Sequence, residues 1–189
     1  MTPYQLILAS GSPRRRELLE RCGLSFEVRK ADIDESLPEN ILPQNAAEFL
    51  AWTKASHFAQ QLGPNELVIT ADTVVVSGEQ ILGKPANRQE AQQMLRSLSG
   101  RVHSVITGVY LLSARSSESF SVETLVHFRQ LKDVEINHYI DHYQPYDKAG
   151  AYGIQEWIGL VAVEKVQGCY YNVMGLPVQE LYQRLKRYI

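Results

Sequence analysis

The apolar run Leu6 to Ala9 reads as a buried strand, and the turn Ser10-Gly11-Ser12 follows it. Ser12 suits a helix N-cap with Pro13 at the first helical position, and Gly23 stops that helix. Phe26 to Ala31 predicts a second strand that runs into an acidic loop, Asp32 to Glu35. Ala46 to Leu62 carries apolar residues at helical spacing and ends at Gly63-Pro64. Leu67 to Val76 predicts a strand, and Ser77-Gly78-Glu79-Gln80 a hairpin turn returning through Ile81 and Leu82. Gln89 to Leu98 reads as a helix closed by Gly100. Val102 to Leu112 and Phe120 to Phe128 read as paired strands around the polar linker Ala114 to Ser119. Asp133 to Tyr143 predicts a helix, Gly159 to Val166 a strand, and Pro177 opens a last helix to Lys186. Hairpins alternate with helices in this order, which predicts a mixed rather than a purely parallel sheet.

Composition narrows the picture. The chain has 189 residues, enough for one domain with a real core, in one lobe or two, and no linker marks a boundary. A formal net charge of −2 provides no global field for nucleic acid or membrane. Cys22 and Cys169 suit a reducing compartment and form no zinc pattern. No signal-peptide pattern or long apolar stretch is present, so a cytoplasmic protein is expected.

Against that near-neutral background, Arg14-Arg15-Arg16 stands out. A helix N-terminus carries partial positive charge, so each arginine there is disfavoured by about 0.3–1 kcal/mol. An anion held by free backbone N–H groups and guanidinium forks makes sense of three in a row. A solvated basic turn is the plainer alternative. Leu18, Leu19 and Cys22 set the apolar side; Arg14 and Arg15 flank it, and Arg16 points to solvent.

Asp72 interrupts the apolar strand Leu67 to Val76, and a buried carboxylate is costly unless paired, hydrogen-bonded or bound to metal. With the hairpin centred between Gly78 and Glu79, Thr73 faces Lys84, which puts Lys84 diagonally from Asp72. A metal–phosphate site and a structural ion pair both fit, and the functional reading is preferred. Lys54 falls within the apolar stripe of Ala47, Leu50, Ala51, Phe58 and Leu62. Its stem either snorkels outward or carries its ammonium into a cleft with a phosphate. The acidic loop supplies a candidate metal ligand.

Gly78 to Lys84 matches the first seven positions of a P-loop, but Pro85 stands where a hydroxyl must hold magnesium, and the segment reads as a hairpin. That reading is rejected, while Lys84 remains a phosphate candidate. The small residues of Tyr146 to Gln155 let backbone approach a ligand, and the Gln155 carboxamide both donates to and accepts from a nucleobase edge. His138 and His142 share a helix face but lack the glutamate of a zinc-protease motif, because position 139 is Tyr139, so they read as an exposed face.

Taken together, these segments resemble the Maf family of nucleotide pyrophosphatases, once described as septum-formation inhibitors. The matching motifs are Ala9 to Arg15, Ala71-Asp72-Thr73, Gly83-Lys84-Pro85, Leu98 to His103, Thr107-Gly108-Val109, Asp147 to Gln155 and Gly175-Leu176-Pro177, in family order. The resemblance implies one α/β domain over residues 1–189, an elongated mixed sheet flanked by helices, and two lobes with a central cleft, similar to inosine triphosphate pyrophosphatases. It also implies hydrolysis of a nucleoside triphosphate between the α and β phosphates, a divalent cation (Mg²⁺ or Mn²⁺) and a homodimer. The family's catalytic aspartate matches Asp72; Arg14, Thr73 and Gln155 match positions tied to substrate choice; Ser12, Arg15, Glu35, Lys54 and Lys84 match other cleft residues. Residues Asp147 to Gln155 look like the branch acting on dTTP and UTP.

One departure follows that stretch. Many members of the branch have glycine after the glutamine, whereas Glu156-Trp157 stands here, and these side chains either reshape the base pocket or face outward. The expected mechanism gives the triphosphate to Arg14, Arg15, Lys54 and Lys84, the metal to Glu35 and Asp72, the attacking water to Asp72, the pyrimidine to Thr73 and Gln155, and phosphate or ribose to Ser12. Two other readings stay open: a purine-directed pyrophosphatase, and a nucleotide-sensing regulator of septum formation with little turnover. Nucleic-acid binding is disfavoured, since no basic stripe with interleaved aromatics occurs.

Overall fold

The computed structural model describes residues 4–30 and 33–189; Ala31 and Asp32, the end of the second expected strand and the start of the acidic loop, lie outside the described residues. The strands are β1 (Gln5–Leu8), β2 (Phe26–Val28), β3 (Glu66–Ser77), β4 (Gln80–Leu82), β5 (Val102–Ser113), β6 (Ser117–Phe128) and β7 (Val163–Gln167). The helices are α1 (Pro13–Arg21), α2 (Pro43–Ser56), α3 (Arg88–Leu98), α4 (Asp133–Tyr143), α5 (Trp157–Ala162), α6 (Tyr170–Met174) and α7 (Val178–Leu185). The strands form one sheet in the order β2-β1-β3-β5-β6-β7, with β4 paired to β3. The sheet is mixed, as the element order requires: β1 runs parallel to β2 and β3, whereas β4 and β7 pair antiparallel with β3 and β6.

The chain divides into two compact units. The first comprises residues 1–72, 107–122 and 175–189, the second residues 73–106 and 123–174, so the divisions fall within β3, β5 and β6.

In the first unit, Ile7, Ala9, Phe58 and Val68 form an apolar cluster that Leu62 and Leu112 extend. Two devices hold α2 against the strands. The Thr70 hydroxyl, on fully buried β3 backbone, donates to the Ala51 carbonyl at 2.7 Å. Gly108 of β5 lies so close to α2 that a Cβ there would stand 2.3 Å from Glu48 N and 2.4 Å from Ala47 C. Only a residue without a side chain permits that approach. Helix α2 starts earlier than expected because Pro43 opens its first turn, and it stops at Ser56, after which Phe58 N donates to Ala55 O at 2.9 Å in a tighter turn.

In the second unit, Asn87 caps α3, its side chain accepting from Glu90 N at 3.0 Å. Charged pairs lace α3 to α4: Arg88 reaches both carboxylate oxygens of Asp141 at 2.8 and 3.0 Å, and Arg96 meets Asp133 at 2.9 Å. The expected strand Gly159 to Val166 is corrected here, because Trp157–Ala162 is helical and only Val163–Gln167 is strand. Ile158 and Ala162 are the buried pair of that helix, four residues apart, a helical spacing hidden inside an apolar run. Gly159 makes the helix possible, since a Cβ there would lie 1.7 Å from Ile154 O.

Candidate active site

The first turn of α1 brings Ser12, Arg14 and Arg15 together. Ser12 Oγ accepts from Arg15 N at 3.4 Å and Ser10 Oγ from Ser12 N at 3.2 Å, fixing the turn by its own hydroxyls. Helix phase does the sorting expected of it: Arg14 and Arg15 are half-buried, while Arg16 is exposed and pairs with Glu20 at 2.8 Å. Arg15 also has a structural bond, from Nε to the Gly175 carbonyl at 2.8 Å, which ties the turn to the segment leading into α7. Burial pulls the Arg15 guanidinium below the usual arginine range; Asp72 opposes this most, Arg14 adds to it and Glu35 opposes it. These four charges therefore share one electrostatic neighbourhood.

Lys54 joins the two acids of that neighbourhood. Its ammonium contacts the Asp72 carboxylate and lies 3.0 Å from Glu35 Oε1, with Lys54 and Asp72 only 15% and 14% exposed. The lysine that stood out in an apolar stripe is thus turned onto two carboxylates, one from β3 and one from the loop before α2. That loop also separates its acids by role: Asp34 accepts from Ser36 Oγ at 2.8 Å and Ser36 N at 2.9 Å, which holds its carboxyl below the ordinary aspartate value, and Glu35 reaches Lys54.

The second unit holds Thr73, Lys84 and Gln155. The β3–β4 register, Val75 with Leu82 and Ser77 with Gln80, is the one the hairpin turn predicted, and it confirms that Gly78 to Lys84 is no P-loop. Continued two residues past the last ladder pair at Leu82, the same register sets the exposed Lys84 opposite Thr73, as the turn predicted. Lys54 is an ion-pair partner of Asp72. Gln155 is exposed between buried Ile154 and partly buried Glu156.

A polar cluster beside Gln155 escaped the sequence reading. The Glu156 carboxylate accepts from the Tyr139 hydroxyl and lies 3.0 Å from Lys148 Nζ, which also meets Asp147 at 2.7 Å. Lys148 is 8% exposed and Tyr139 fully buried. Glu156 therefore turns inward, and Trp157 packs edge-on against the His138 ring at 4.8 Å. The sequence signal was faint: Lys148 lies in a small-residue stretch without periodicity. His138 and His142 are exposed, as read.

Among the described residues, no group of three or more histidines, cysteines or acids is placed to hold a metal, and no helix is long and apolar enough to cross a membrane. Two carboxylates converging on one cation do suit Mg²⁺ or Mn²⁺, which take hard oxygen donors and complete their shells with water and substrate phosphate.

Known proteins match this chain along its length. A Parabacteroides distasonis protein named dTTP/UTP pyrophosphatase is 52% identical over 98% of this chain and 96% of its own length. Proteins of the same name from Bacteroides fragilis and Cytophaga hutchinsonii are 50% and 44% identical, covering 97% and 96% of this chain and 96% and 83% of theirs. Among solved structures, the Staphylococcus aureus Ham1 protein aligns at TM-score 0.45 and 14% identity over 66% of this chain and 71% of that one, a likeness that transfers no residue role. The family profile described as Maf-like protein matches residues 5–188, and with relatives at half identity over nearly the whole length, the chain belongs to the Maf-like family.

Proposed function

We propose that this protein hydrolyses dTTP and UTP, cleaving the α–β phosphoanhydride with water to give the nucleoside monophosphate and pyrophosphate. The observation that carries the reading is the Lys54 ammonium held between Asp72 and Glu35, in the electrostatic neighbourhood of Arg14 and Arg15. The names of relatives at 44–52% identity supply the substrate.

In this reading Arg14 and Arg15 bind phosphate oxygens at the first turn of α1, where backbone N–H groups already favour an anion. Ser12 bonds phosphate or ribose, and Lys84 adds a further cation. Lys54 offsets charge on the leaving pyrophosphate as the bond breaks. Asp72 orients the attacking water and takes its proton, with Lys54 holding the carboxylate in place. Glu35 and Asp72 would hold a divalent cation, which when bound neutralises phosphate charge and acidifies water. Thr73 and Gln155 read the pyrimidine edge. Residues 1–189 act as a single catalytic domain, and the dimer and cytoplasmic location expected of the family belong to the same reading.

The test incubates the purified protein with each common nucleoside triphosphate and with 7-methyl-GTP, with Mg²⁺ or Mn²⁺, and measures pyrophosphate and orthophosphate separately. Pyrophosphate mainly from dTTP and UTP is expected. Orthophosphate alone would refute α–β cleavage, and pyrophosphate mainly from purine nucleotides would discard the pyrimidine reading. Light scattering after size exclusion tests the dimer.

A further inference from the structure

Base choice by a glutamine needs more than the glutamine. A carboxamide presents one donor and one acceptor. Turned one way it complements the N3–H and O4 of uracil or thymine, and turned over it complements the N3 and N4–H₂ of cytosine. Its type alone therefore does not separate UTP from CTP. Discrimination requires the carboxamide to be delivered in one position, to within about 0.5 Å, by a support that does not yield.

The second unit contains such a support. Gln155 is flanked by a closed set of polar contacts: Tyr139 OH to the Glu156 carboxylate, Gly153 N to Tyr139 Oη at 3.0 Å, Lys148 Nζ to Glu156 Oε1 at 3.0 Å, and Glu156 N to Gly153 O at 3.0 Å. Gly153, two residues before Gln155, and Glu156, the one after it, are thereby pinned to α4 and to a buried ammonium. Gly153 leaves room for this, since a Cβ there would stand 3.0 Å from both Glu156 Cδ and Lys148 Cε. Burial, and after it the Glu156 hydrogen bond, raises the Tyr139 phenol above its ordinary value, so it remains a donor. A glycine at position 156 would make none of these side-chain contacts.

We infer that Glu156 is a specificity-positioning residue: through Tyr139 and Lys148 it locks the turn that presents Gln155, and so sets the preference for uracil and thymine over cytosine. This rests on the reading of Gln155 as the base contact given above. Glu156 touches no substrate in this account. It lowers the freedom that Gln155 must lose on binding, so its effect falls on KM and on selectivity more than on kcat.

The experiment measures kcat and KM for UTP and CTP by pyrophosphate release in wild type, Gln155→Ala, Glu156→Ala, Glu156→Gln and Tyr139→Phe, with thermal unfolding of each. Glu156→Ala is expected to lower the UTP-to-CTP ratio of kcat/KM by about tenfold, mainly through KM for UTP, the size of one well-aligned hydrogen bond. Glu156→Gln, which still accepts from Tyr139, is expected to restore most of the ratio. Tyr139→Phe removes one hydroxyl and is expected to lower the ratio severalfold; it decides the matter where Glu156→Ala fails to fold. Folded Glu156→Ala and Tyr139→Phe proteins with the wild-type ratio, alongside a Gln155→Ala protein that has lost it, would overturn the positioning role and leave the base reading standing. A Gln155→Ala protein that keeps the wild-type ratio would overturn the base reading, and the lock with it.

Discussion

Replacing Gly108 with alanine puts a methyl group where the backbone of α2 already lies. That carbon would stand 2.3 Å from Glu48 N and 2.4 Å from Ala47 C and Glu48 Cα. Ordinary contacts need about 3.5–4.0 Å, so strand and helix must separate by about 1 Å or more. Backbone atoms cannot swing aside as a side-chain tip can. Overpacking of this kind costs about 1–3 kcal/mol, at about 2–4 °C of Tm per kcal/mol for a chain of this size. A drop of about 2–12 °C is expected. The same retreat reaches the site, because α2 carries Lys54 less than two turns beyond Glu48. Lys54 Nζ lies 3.0 Å from Glu35 Oε1 and against Asp72, and a shift of about 1 Å takes it out of hydrogen-bond range of at least one. Misplacement on that scale costs up to about a hundredfold in rate. The assay pairs unfolding by circular dichroism with kcat/KM for UTP well below the variant's Tm. A variant with unchanged Tm and unchanged turnover would refute the argument that α2 is seated on Gly108 and that this seat positions Lys54.

Asp72→Ala is expected to fold and to lose about a hundredfold or more in kcat, the usual worth of a positioned base; near-normal pyrophosphate release from the folded variant would sink the assignment. Thr70→Val removes the hydroxyl that bonds the Ala51 carbonyl at 2.7 Å, so a loss of about 1 kcal/mol is expected by denaturant unfolding, restored by Thr70→Ser. His103 is 2% exposed, and burial, with His127 adding, pushes its pKa down to about 4. The native state therefore refuses a proton that the unfolded chain takes up near pH 6.5, and stability falls as pH drops from about 6.5 towards 4, by about 3 kcal/mol from this group. His103→Gln should flatten that part of the stability–pH curve by nearly one proton, and an unaltered slope would show that His103 does not contribute.

The legible parts of this chain are those whose causes lie close in sequence. The strand, the Ser12 cap and α1 follow from adjacent residues, and Asp133–Tyr143 was bounded by its own pattern. The hairpin register also came out of its turn: the pairing of Ser77 with Gln80 and Val75 with Leu82 is the register that sets Lys84 opposite Thr73. The helix Trp157–Ala162 was hidden because an apolar run looks alike in a strand and in a short buried helix, and the deciding close approach of Gly159 to Ile154 is a tertiary fact. Glu156 was undecidable for the same reason: whether a carboxylate faces in depends on Tyr139 and Lys148 being there to meet it. Lys54 is the instructive case between these extremes. Its place in an apolar stripe showed that its stem lies on apolar atoms, but periodicity left open where the ammonium points. The choice depended on a carboxylate that α2 does not contain, and Asp72, an acid misplaced in an apolar strand, was the complementary anomaly. Each breaks its own local pattern, and each local fault is answered by the other once β3 and α2 pack. Two such violations of opposite charge, on elements bound to share a core, are themselves a contact prediction, and that pairing is the inference the periodicity had left unmade.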